Sequence, residues 1–267
     1  MSNHLLRSHA PISDAGWQLL DDEARERLMP ALAARRLVEF SGPHGWQHSA
    51  FNLGRVEALG STPCEGVSAV RRRVLALAEV RADFEISRAQ LRDHDRGADD
   101  PDLESLDGAA RRVAVAENKA VFHGWADASI EGMTEVTPHR LQLGSAPDTY
   151  PRPVAAAVEL LLSSGIAGPY ALALGSDQYK RVVQTAEGGG YPLLEHLRKI
   201  IEGPIVWAPG VDGAVLVSQR GDDFLFESGQ DLSIGYLDHD SDVVRLYLEQ
   251  SFAFHVATPE AAVALSA

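Results

Sequence analysis

Trp17, Leu20, Ala24, Leu28 and Leu32 recur at three- and four-residue steps, and Asp21, Asp22, Glu23, Arg25, Glu26 and Arg27 cover the other face. That spacing predicts an amphipathic helix running through Ala33, with Ser13 as its N-cap. Pro30 is expected to kink or divide it. Residues 41–86 follow a different rule. SGPHGW is a turn cluster, residues 47–59 are strand-like, and a Gly/Ser/Thr/Pro/Cys turn follows at 60–64. Ala78, Val80, Ala82, Phe84 and Ile86 then alternate with Glu79, Arg81, Asp83 and Glu85. Period two marks a strand, so the stretch reads as one long hairpin with 78–86 as its return arm. A long isolated hairpin is marginal in water and leaves two open edges. It needs a partner, either its own body or another subunit.

The helical period returns over 100–125, with Asp102 as candidate cap and Leu106, Ala110, Val113, Ala120 and Val121 near one side. Glu117 and Asn118 in this helix are assigned to a solvated face. Residues 154–163 predict another helix, closed by Gly165. YALALG reads as a strand, Ser176 as the cap of DQYKRVVQTA, AEGGGYP at 186–192 as a flexible turn, and LLEHLRKIIEG as a helix. After Pro204 the chain is mostly strand. Leu232, Ile234 and Tyr236 alternate, and Val244, Leu246, Leu248, Phe252, Phe254 and Val256 continue the rhythm. Helices and strands are segregated, which predicts an α+β fold.

Composition narrows the class. The chain has 267 residues, 45% hydrophobic and 23% charged, enough to bury a core. A net charge of −14 argues against a general nucleic-acid binder, since little would neutralise phosphates. The single cysteine, Cys64, excludes an intrachain disulfide and a cysteine-based zinc site, and fits a reducing cytosol. No apolar run reaches the length of a membrane span, and the first residues lack an apolar signal core, so secretion by that route is not expected.

Candidate chemistry is sparse. DHDSDVVRLYLE at 238–249 sets Asp238, Asp240, Asp242 and Glu249 at positions 1, 3, 5 and 12 of a calcium-binding EF-hand loop. Position 6 there needs a residue at ease with positive φ, and Val243 is not one. The flanks read as strands, so the acids are assigned to a polar turn, without metal. His44 and His48 have i,i+4 spacing, which gathers ligands only on a helix, and Gly45 argues against one. No metalloprotease, nucleophile-elbow or phosphate-loop motif is present. Cys64 reads as an exposed or interface thiol at the hairpin tip.

The ordered set of segments nevertheless resembles the encapsulins, shell proteins of the classical family 1, once described as linocin-type bacteriocins. The opening LLRSHAPISDAGWQLLDDEARERL is similar to their N-terminal segment and GPHGW to their hairpin entry. LALAEVRADF, AENKAVFHGWADASIEGM, GIAGPYALALGSDQY, GGYPLLEHLRKII, GQDLSIGYLDHDSDVVRLYLEQSFAFHV and PEAAVAL follow in family order. The resemblance covers nearly the whole chain. It implies a tailed-phage (Hong Kong 97-type) major capsid fold. Residues 1–42, 87–133 and 225–267 would form the peripheral domain, 43–86 an extended E-loop hairpin, and 134–224 the axial domain. It also implies a non-enzymatic homo-oligomer that closes into an icosahedral shell, T=1 the expected triangulation, in the cytoplasm. Such shells enclose a dye-decolorising peroxidase or a ferritin-like iron oxidase through the cargo's C-terminal peptide; nucleic acid and membrane are not expected partners.

Carried across, the cargo-peptide site falls on Leu28, Leu32, Arg35 and Glu39, with Ile234 and Tyr236 opposite. Ile234→Asp is expected to leave shells intact and empty. The pore loop falls on Glu187, Gly188, Gly189, Gly190 and Tyr191, with Glu187 either favouring cations or simply solvent-exposed. Some relatives bind a flavin through a tryptophan after the E-loop. Ala89 of SRAQL stands there in this chain, and no flavin is expected. The alternatives are a prophage major capsid protein and a hydrolase or protease. The first would be expected to carry an extended N-terminal arm or scaffold segment, where this chain starts almost directly with a helix. The second lacks a nucleophile–base–oxyanion pattern.

Overall fold

The computed structural model describes residues 4–187 and 189–267. In chain order the main elements are α1 (Asp14–Ala31), β1 (Glu39–Ser41), β2 (Ala50–Ala58), β3 (Val70–Ala76), β4 (Ala78–Ser87), α2 (Arg88–Asp95) and α3 (Glu104–His123). There follow α4 (Met133–Val136), β5 (Arg140–Gln142), α5 (Pro151–Ser163), β6 (Tyr170–Leu174), α6 (Ser176–Gln184), α7 (Leu193–Ile201) and β7 (Ile205–Trp207). The chain ends with β8 (Ala214–Ser218), β9 (Phe224–Ser228), β10 (Ser233–His239), β11 (Val243–Val256) and β12 (Ala262–Ser266).

The long strand β11 organises one half. β4 lies along one of its sides, antiparallel, from Val243↔Ser87 to Phe252↔Ala78. The other side takes β10 and then β9, with β1 beyond β9. The alternation read in the sequence is the physical basis: Val244, Leu246 and Leu248 of β11 and Ala82, Phe84 and Ile86 of β4 face the same way and are buried. α1 and α3 pack into that core through Leu20, Leu28, Leu106 and Val113. Fully burying such a side chain contributes roughly 1.5–3 kcal/mol. A second sheet, in the order β5-β12-β8-β6-β7, supports α5, α6 and α7 around Leu161, Val182 and Leu197.

Several expectations are corrected. The return arm of the hairpin is β3, which pairs with β2 from Ala50↔Ala76 to Ala58↔Val70. β4 belongs to the main sheet. Its strict alternation reports one buried face, whereas β3, VRRRVLA, is exposed on both faces except at Leu75 and has no alternation to read. The C-terminal β12 inserts between β5 and β8, so the last residues lie with the 134–224 unit rather than with the peripheral one. Pro30 does not divide α1. It sits in the last turn, and the helix stops one residue later. Asp102 precedes α3 and accepts the Glu104 N–H at 3.0 Å, while Ser176 is the first helical residue of α6 behind an N-cap at Gly175. Ser13 caps α1 as predicted, accepting from the Gly16 N–H.

Candidate functional site

The C-terminal half of α1 and the start of β10 enclose a cavity of about 420 Å³, walled by Leu28, Met29, Leu32, Arg35, Leu232 and Ile234. Four of the six predicted peptide-site residues meet here. Its floor is core: Leu28, Leu32 and Ile234 are buried, Ile234 at 1% exposure. The apolar surface offered outward is Met29, 66% exposed, with half-buried Leu232. Arg7, Asp21 and Asp231 form a polar rim. Arg7 donates to Asp21 at 2.7 Å and lies 4.0 Å above the Trp17 ring. Among the described residues β10 has no strand on its outer side. There the Tyr236 N–H donates to the Leu5 carbonyl at 2.8 Å.

Arg35 is held inside the wall. Its Nε lies 3.1 and 3.0 Å from the two oxygens of Glu117, Nη1 donates to Asp231 at 2.6 Å, and Nη2 donates to Gln250. Burial opposes the guanidinium's charge, but Glu117 and Asp231 outweigh it and hold its pKa above the ordinary value. Burial pushes the Glu117 carboxyl up, and Arg35 draws it part of the way back. The guanidinium therefore bonds to the protein, not to the cavity. Glu39 and Tyr236 do not line the cavity. The Glu39 carboxylate accepts the Asp222 N–H at 3.0 Å beside a separate cleft with Leu37 and Phe224. Tyr236 packs half-buried against the same core, and its hydroxyl lies 2.6 Å from His239 Nδ1.

Glu117 and Asn118, assigned to solvent from the sequence, have no exposed surface. Asn118 accepts the Ala34 N–H at 3.2 Å and donates to the carbonyls of Ala31 and Pro209 at 2.8 and 3.0 Å, tying α1's end to α3. The signal was in the spacing. Val113, Glu117 and Val121 form one i,i+4 row.

The 186–192 turn is closed by an Ala186↔Pro192 bridge and a Glu187 N–H bond to the Tyr191 carbonyl at 2.8 Å. Both Glu187 oxygens lie 2.9 Å from His196 Nδ1 on α7, so this half-buried acid has a side-chain partner within its own chain. Gly189 and Gly190 hold positive φ, and Tyr191 is exposed. Gly188 lies outside the described residues.

The acids of 238–249 do not converge on a cation position. Asp238 and Asp240 each accept from Arg245, at 2.7 and 2.8 Å. Glu249 is buried well along β11. His44 and His48 are brought together without a helix, their Nε2 atoms 3.3 and 2.9 Å from Glu227 Oε1. Among the described residues no group of three or more His, Cys, Asp or Glu side chains is arranged to hold a metal ion, and no helix is long and apolar enough to cross a membrane. Cys64 is exposed near the hairpin tip.

Comparison with known proteins identifies the family and the fold. The family model described as an encapsulating protein for peroxidase, Linocin_M18, matches residues 2–253. A type 1 encapsulin shell protein of Rhodospirillum rubrum is 46% identical over 98% of this chain and 96% of its own length. Another, of Mycobacterium tuberculosis, is 38% identical over 99% of both chains. A virus-like particle from Pyrococcus furiosus has a TM-score of 0.65 at 17% identity, covering 92% of this chain and 98% of that one. The capsid of an empty GTA particle reaches 0.54 at 14% identity, covering 88% and 90%. Fold and comparisons together define a capsid-type structural shell protein, not an enzyme. The chain belongs to the type 1 encapsulin family.

Proposed function

We propose that copies of this chain close into an icosahedral, T=1 nanocompartment in the cytoplasm and retain a cargo enzyme, a dye-decolorising peroxidase or a ferritin-like iron oxidase, by its C-terminal peptide. The exposed β2–β3 hairpin pairs with a neighbouring subunit, and the 186–192 turns surround a pore for small solutes. The observation that carries the cargo reading is the cavity between α1 and β10. It has an apolar floor of Leu28, Leu32 and Ile234, an exposed Met29, and beside it the β10 edge, which carries no second strand among the described residues and is bonded to the Leu5 carbonyl at Tyr236. An extended peptide with small and apolar residues gains from both features: side chains enter the cavity and its backbone meets the β10 edge.

Ile234→Asp is a poor test, because a carboxylate at a buried position would unfold the core rather than empty the groove. Met29→Asp changes only the exposed wall. Shells of Met29→Asp should assemble normally and co-purify with at least about tenfold less peptide-tagged cargo, the loss of roughly 1.4 kcal/mol of binding. Full cargo loading of that variant would remove the groove from the mechanism.

A further inference from the structure

The hairpin is charged against the rest of the molecule. Residues 50–76 hold four arginines and two glutamates in a chain of net charge −14. Across the β2–β3 pair, Arg55 stands directly opposite Arg73, an arrangement of like charges that destabilises a sheet. Arg71 faces Glu57, and Arg72 faces Val56. Among the described residues none of the four arginines makes an ion pair. On the body, in contrast, Arg81 pairs with Asp83, and Arg245 with Glu85, Asp238 and Asp240. Val56, Val70 and Val74 are exposed on the same hairpin. Opposed cations and bare valines leave this arm short of an acidic, partly apolar partner.

The most acidic stretch of the chain is 93–107, DHDRGADDPDLESLD, with seven acids and one arginine. Asp99, Asp100 and Glu104 are exposed there. One chain cannot bring the two together. The hairpin root is at the Ala78 end of β4, where the Leu77 N–H bonds to the Ser49 carbonyl. The acidic segment is fixed at the other end of β4 by the Ser105 hydroxyl on the Glu85 carbonyl. Seven residues of strand separate those points, about 23 Å at roughly 3.3–3.4 Å per residue. Complementary charges at opposite ends of a rigid strand make a head-to-tail contact, and such contacts propagate until they close a ring or a shell.

We infer that the arginine-bearing hairpin of one copy docks on the acidic 93–107 segment of the next. This rests on the shell reading above and names the surface that completes it. The test uses two charge reversals, Arg71→Glu with Arg73→Glu, and Asp99→Lys with Asp100→Lys, made separately and together, with circular dichroism checking that each chain is folded. Assembly is read by light scattering after size exclusion and by negative stain. Each reversal alone should lower particle yield by more than about tenfold, because like charges then meet across the contact, and the combined variant should recover it. Wild-type assembly should weaken as salt is raised. Shells that form and ignore the hairpin reversal overturn the docking alone. A hairpin reversal that blocks assembly, with no rescue by the combined variant, overturns 93–107 as the partner surface. A wild-type chain that stays monomeric overturns the shell reading and the docking with it.

Discussion

Arg35 Nε lies 3.1 and 3.0 Å from the two carboxylate oxygens of Glu117, a side chain with no exposed surface. The pair joins the end of α1 to α3, while Asp231 and Gln250 tie the same guanidinium to the entry of β10 and to β11. Four chain segments thus meet on one cation at the inner wall of the cavity. Removing its buried partner should be costly. Glu117→Ala is expected to destabilise the subunit by about 3–5 kcal/mol, because the guanidinium loses its buried counter-ion and keeps only the more exposed Asp231. Replacing Arg35 by Met and Glu117 by Leu together should cost much less. Denaturant unfolding of the subunits measures both, and equal losses in the single and double variants would show that the ion pair is not the origin of the effect.

A second relationship fixes the strand that borders the cavity. A Cβ on Gly235 would lie 2.1–2.5 Å from the ring and hydroxyl of Tyr247, its cross-strand partner. The ring cannot simply lift, since the Arg81 guanidinium covers it at 3.6 Å. Gly235→Ala should therefore lower stability by about 1–3 kcal/mol through overpacking. In a Tyr247→Ala background the same change should be nearly silent, a coupling that a double-mutant cycle reads directly. Additive losses would mean that Gly235 is needed for its backbone rather than for the ring above it.

How much of this was legible follows from which residues carry a one-sided pattern. α1 buries one face, and β11, covered on both faces from Leu246 to Phe254, still keeps its aliphatic residues on one of them at its start, so Trp17, Leu20 and Leu28, and Val244, Leu246 and Leu248, stand out by period alone. β3 buries neither face, and its arginines hid the true hairpin arm behind the cleaner alternation of β4. β1 and β5 are three residues long, too short to show a period, and their place is set by long-range pairing with β9 and β12. For the candidate site, Leu28, Leu32 and Ile234 come from the family resemblance; period alone marks them only as apolar positions that end up buried. The role of Arg35 is not legible in the sequence, because it depends on Glu117, Asp231 and Gln250, which only the folded chain assembles. Glu117 itself is legible from its i,i+4 row with Val113 and Val121, although a lone charged residue points toward a solvated face.

The turn between β10 and β11 shows what the EF-hand-like acids do. Asp240 accepts the backbone N–H groups of Asp242 and Val243 at 2.9 and 3.0 Å and the Arg245 guanidinium at 2.8 Å. Those bonds favour the charged carboxylate and lower its pKa from 3.8 to about 2. A carboxyl depressed on folding stabilises the folded state above its ordinary value and loses that contribution as pH falls through its folded one. Asp240→Asn keeps an oxygen for the two N–H groups and loses the charge that faces Arg245. The wild type should thus exceed Asp240→Asn in Tm by a constant margin above about pH 4, and the margin should close between pH 3.8 and about 2. Millimolar calcium should move neither melting curve, since Arg245 already occupies the position between Asp238 and Asp240. A calcium-dependent rise in the wild-type Tm, or a margin that ignores pH, would mean that these acids do more than close a turn.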